Sequence, residues 1–166
     1  MRFLRHIIIA VAFGATLVAG PAAWATETHA DSISGYEVSA TSTQGTFVGY
    51  ASGDLPGYWK AVVDHTPLDP GATINGGEFY LATYYDGAPA VVTGDFTGGT
   101  ITLVSAPSTC GNQVYDVEAA LGGVGLGYDG TGTGAFSGTL THYRTLLYGQ
   151  CVTYAAKVAG SLTLAF

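Results

Sequence analysis

Positive charge is what this chain has least of. It holds five Lys and Arg residues against twelve Asp and Glu, and two of the five, Arg2 and Arg5, stand at the very start. Residues 26–166 retain only Lys60, Arg144 and Lys157 against all twelve acids, a formal charge of −9. Three cations cannot neutralise a row of phosphates, so nucleic acid is excluded as a partner. The same shortage disfavours docking on an anionic membrane surface. Cysteine is equally sparse, with Cys110 and Cys151 alone and no CxxC or HxxxH spacing beside them. That spacing argues against a structural metal site, and no cofactor is expected. The loop from Asp129 (DGTGTG) offers one carboxylate where calcium takes several. Also missing are a nucleophile elbow and a paired-acid motif.

One long apolar run is present. Ile7 to Gly20 follows the basic Arg2 and Arg5, and Ala23-Trp24-Ala25 fits the small-x-small cleavage rule. Residues 1–25 are therefore expected to be a secretory signal peptide, and the protein to be secreted, at the cell surface or in the envelope. No later run is long enough to cross a bilayer as a helix. Export into an oxidising compartment predicts a Cys110–Cys151 disulfide.

What remains is rich in Gly, Thr, Val and Tyr. Residues 26–44 are polar and are expected to form a flexible lead-in, with at most a weak strand near Tyr36–Ala40. From 45 to 166, short alternating runs are separated by turn signals such as DLPG, LDPG and YDGAP. Strands are predicted at 45–52, 58–65, 77–85, 90–96, 99–105, 113–121, 134–144 and 152–166. In the last, Val152, Tyr154, Ala156, Val158, Leu162, Leu164 and Phe166 share one face. Alternation of that length means one face buried and one wet. The expected fold is all-β: a single eight-stranded antiparallel β-barrel, mostly up-and-down, which closes on itself and so leaves no exposed edge. The motif G-x-F-x-G occurs at Gly45–Gly49, Gly94–Gly98 and Gly134–Gly138. Each Phe shares a face with two glycines, which suits sharp strand bends covered by a neighbouring ring.

The runs ASGDLPGYWKA, INGGEFYLA and GYDGTGTGAFSGTLTH resemble secreted bacterial proteins with a glycine-rich barrel similar to the allene oxide cyclase and dirigent families. The resemblance implies an eight-stranded barrel over most of 45–166. Its motifs are glycine and aromatic positions, which specify shape. The catalytic and ligand-binding residues of those families do not map onto this chain, so no activity is carried over.

Parity and strand direction then place candidate site residues. In an up-and-down barrel, alternate strands run in opposite directions. The eight predicted strands gather Trp59, Tyr85, Tyr115, His142, Arg144 and Tyr154, all of inward parity, at the mouth next to Cys110 and Cys151. His65 falls at the other mouth, too far from His142 to cooperate, and His29 is expected to be solvated. An aromatic-lined mouth with convergent polar groups suits a small apolar or weakly anionic ligand. The alternative is a barrel enzyme of cyclase or isomerase type with His142 as acid or base. A third reading is a structural or surface protein whose outward tyrosines, Tyr58, Tyr80 or Tyr84, contact cell-surface polysaccharide. A non-catalytic role is expected, with the filling of the barrel interior as the deciding feature.

Overall fold

The computed structural model describes residues 26–107, 109–128 and 130–166. Residues 1–25, where a signal peptide is expected, and residues 108 and 129 lie outside the described residues. Eight strands follow one another: β1 (Thr28–Ala40), β2 (Gln44–Gly53), β3 (Gly57–His65), β4 (Ala72–Tyr85), β5 (Ala88–Ser105), β6 (Gln113–Leu126), β7 (Gly132–Leu147) and β8 (Gln150–Ala165). Each pairs antiparallel with the next, and β1 pairs with β8, so the sheet is a closed up-and-down barrel. A disulfide joins Cys110, in the β5–β6 connection, to Cys151 at the start of β8, with Cα atoms 5.4 Å apart.

Two expectations need correction. The flexible lead-in is largely strand, because Thr28–Ala40 forms β1 and closes the barrel between β2 and β8. Its inward positions are His29, Asp31, Ile33, Gly35 and Glu37, only one of them a large apolar residue, so no hydrophobic period marks it. The segments 90–96 and 99–105 are one strand, β5. Gly98 follows a bulge at Thr97 in the pairing with β6, and Gly99 stays in the ladder opposite Ala119 instead of forming a turn. There β6 comes so close that a Cβ on Gly99 would lie 2.8 Å from the Cα of Ala119. The losses and gains cancel in the strand count, but they do not cancel in direction. Everything before β5 exchanges ends relative to everything after it.

The inward face is packed by rings laid over glycines. Phe136 lies against Gly138 and Gly160, where an added Cβ would sit 2.7 Å from the ring in each case. Trp59 covers Gly35 and Gly49 in the same way, across two neighbouring strands. Large rings therefore fit in a barrel of only eight strands, because the facing positions carry no side chain. The central motif differs: Gly94 faces Val124, and nothing approaches Gly98.

Candidate functional site

The disulfide end gathers Tyr115, His142 and Arg144, as parity predicts for strands on one side of β5. Tyr115 is buried, its ring 5.2 Å from that of His142, and its hydroxyl donates to Gln113 Oε1 at 3.2 Å. Burial, and then the Arg144 guanidinium, hold His142 below its ordinary pKa of 6.5. Burial raises the Tyr115 phenol, with Asp69 adding to the rise and Arg144 opposing it. Arg144 is half-buried, and its backbone N–H reaches Asn112 Oδ1 at 3.4 Å.

The other predicted members are elsewhere. Trp59 and Tyr85 belong to the opposite end, since β3 begins and β4 finishes there. Trp59 is buried in the barrel interior. Tyr85 donates its hydroxyl to Glu27 Oε2 at 3.0 Å, and that hydrogen bond, before burial, raises its pKa. Tyr154 is 66 % exposed and stands beside Tyr143, with ring centroids 6.4 Å apart. A bulge between Tyr143 and Arg144 breaks the inward alternation there and turns Tyr154 away from the rim.

The same exchange of ends brings His65 to the disulfide end, so it and His142 stand at one mouth and not at opposite ones. Glu37 joins them there, at the lower end of β1. Its carboxylate occupies the space beside Gly45 that a side chain would fill, 2.8 Å from an ideal Cβ. Burial raises the pKa of Glu37, and the nearby His65 opposes the rise. His65 Nδ1 lies 2.7 Å from the carbonyl oxygen of Thr66.

At the opposite end, His29 is buried instead of solvated, 5.0 Å from the Phe166 ring and 5.8 Å from Tyr85. Leu55 plugs this end at 2 % exposure, and its N–H donates to Asp31 Oδ1 at 2.9 Å. The buried Asp31 carboxyl is raised mainly by desolvation.

Between the two ends the interior is almost full. Its cavity of about 60 Å³ is lined only by apolar side chains, among them Phe47, Phe79, Phe96 and Phe136. Small-molecule sites occupy roughly 300–1,000 Å³. The barrel as it stands has no room for such a ligand.

The larger concavity lies outside. A groove of about 680 Å³ crosses the outer faces of β1–β5, walled by Tyr36, Val48, Tyr50, Tyr58, Lys60 and Tyr80. Tyr58 is 75 % exposed, Tyr36 56 % and Tyr50 47 %. Tyr50 and Tyr58 meet edge to face at 5.5 Å. Tyr80 donates to Glu78 Oε2 at 2.7 Å, and chiefly through that bond its pKa is pushed up to about 12. Of the three tyrosines singled out in the sequence, Tyr58 and Tyr80 wall the groove. Tyr84 lies in a separate hollow with Glu27 and Asp54. Sequence reasoning missed Tyr36, because only a weak strand beginning there was expected within a flexible lead-in, and Tyr50, whose outward parity in β2 was the available signal.

The molecule is thus a closed eight-stranded meander barrel with a filled interior and an aromatic outer groove. Comparison with family models, with curated proteins and with solved structures gave no match in any of the three.

Proposed function

We propose that this protein is an exported, non-catalytic β-barrel that binds an extended carbohydrate chain of the cell surface along its outer groove. The contrast in space carries the reading: about 680 Å³ outside, walled by tyrosines, against about 60 Å³ within. A tyrosine presents a flat apolar ring and a polar tip, which suits partners with one greasy and one wet aspect. Sugar rings have that character, with C–H faces that stack and hydroxyl rims that hydrogen-bond. The disulfide and the composition of residues 1–25 support export.

Retention on insoluble polysaccharides tests this. The protein should be held, and Tyr50→Ala and Tyr58→Ala should each weaken retention while leaving the fold intact. No retention on any of a broad panel, or retention indifferent to both substitutions, refutes it.

One observation favours a second reading, the barrel enzyme. His65 and Glu37 share an end with His142, below an apolar cavity, so more than one acid–base group faces that mouth. It requires the cavity to open several-fold around a substrate. Line broadening of the His142 ring signals on adding an apolar ligand would support it, and their invariance would count against it.

A further inference from the structure

We infer that the groove selects carbohydrate chains bearing carboxylates, that is, uronic-acid polysaccharides; this rests on the carbohydrate reading above. The register across the outer face carries the argument. Lys157 on β8 pairs with Tyr36 on β1, Tyr36 with Val48, Val48 with Lys60, and Lys60 with Tyr80. Residues directly opposite in an antiparallel ladder project from the same face. Two of the three cations in residues 26–166 therefore stand in one row with the groove tyrosines. At about 4.8 Å per strand spacing, the two lysines are about 14 Å apart along that row.

Their surroundings make this placement informative. Acids outnumber cations four to one in residues 26–166, so an ordinary surface lysine would have carboxylates to choose from. Among the described residues neither Lys60 nor Lys157 makes an ion pair. Glu78, on the outer face of β4, accepts from the Tyr80 hydroxyl and keeps its charge, but it pairs with neither lysine. Lys60 thus lines the groove, and Lys157 stands beside Tyr36 at its edge, on a protein that is otherwise anionic.

Charge also limits the kind of anion. A formal charge of −9 over residues 26–166 repels a densely charged polyanion such as a sulfated glycan. A uronic-acid chain carries at most one carboxylate per sugar ring, fewer charges than a sulfated glycan. Each ammonium takes one carboxylate as a point charge, and the rings between them lie on tyrosine faces.

Polygalacturonate and its methyl ester, the same backbone with the charge removed, give the test by affinity electrophoresis. Exposed ion pairs are each worth about two- to fivefold in affinity. The acid form should therefore bind several-fold tighter than the ester, and added salt should shrink the difference. Lys60→Met and Lys157→Met should each lower affinity for the acid form by about two- to fivefold, and by clearly more than they lower affinity for the ester. Equal binding of acid and ester, unaffected by either lysine substitution, overturns the inference and leaves the carbohydrate reading standing. Tighter binding of dextran sulfate than of polygalacturonate overturns the choice of carboxylate. Failure to bind either polymer, with retention on another polysaccharide of the panel, overturns the uronic-acid inference alone; a concentration-dependent dimer abolished by Tyr58→Ala overturns both readings.

Discussion

Replacing Phe136 by Ala tests whether the interior is packed or merely lined. Phe136 is 7 % exposed, borders the central cavity, and covers the glycines at 138 and 160. Truncating a buried Phe costs about 3–5 kcal/mol, with the upper end reached where the surroundings cannot collapse into the space. Collapse is difficult here. The ring's neighbours include two glycines with no side chain to shift, held in the β7 and β8 ladder. We therefore expect a loss near 4 kcal/mol, out of a typical domain stability of about 5–15 kcal/mol. With a urea m-value of about 2 kcal/mol/M, the midpoint should fall by about 2 M. A second readout follows from the new space. An enlarged dry apolar cavity should admit benzene or xenon, which the intact protein should exclude. A loss below about 1 kcal/mol, or benzene binding by the unsubstituted protein, would refute the packed interior and reopen the barrel as a ligand site.

Removing the disulfide with Cys110→Ala and Cys151→Ala frees a loop of 41-residue separation, and should cost about 4 kcal/mol in the chain-entropy account. Thermal melts of this variant should match those of the reduced native protein. Glycine positions should differ sharply. A Cβ at Gly49 meets backbone, including the Gly35 Cα at 2.6 Å, so Gly49→Ala should cost about 1–3 kcal/mol or more. At Gly45 it meets only the side chains of Phe47 and Glu37, which can move, so Gly45→Ala should cost less than about 1 kcal/mol. Equal losses would contradict the distinction between glycines facing backbone and glycines facing movable side chains. Stability should also respond to pH with two opposed slopes. Asp31 and Glu37 are raised above 3.8 and 4.5 by burial, so the folded state keeps protons that the unfolded chain has lost. Their contribution therefore weakens as pH rises from those values through the folded pKa values. His142 is lowered below 6.5, so its contribution is complete above that value and is lost as pH falls through the folded pKa. Urea midpoints against pH should lose the first slope in part in Asp31→Asn, and the second in His142→Gln.

How much of this was legible in the sequence depended on where each residue keeps its partners. The β8 strand could be read from itself, since its alternation of Val158, Leu162 and Leu164 with small and polar residues is complete within one segment. The β1 strand could not, because Asp31, Gly35 and Glu37 face inward and gain burial only when the barrel closes around them. The Gly98-Gly99 pair has the composition of a turn, and only the approach of β6 keeps it within one strand. One extra reversal counted there has a long reach. It left Tyr115, His142 and Arg144 correctly together, because β6, β7 and β8 all follow it. It sent Trp59, Tyr85 and His65 to the wrong ends, because they precede it. The outer groove shows the same limit from the other side. Parity turns Tyr58 and Tyr80 outward from the sequence alone. What sets Lys157 beside Tyr36, and both in line with Lys60, is register between strands far apart in the chain. Register is fixed by turn lengths, bulges and closure together, so a site made of single residues from several strands becomes visible only once the whole ring of pairings is known.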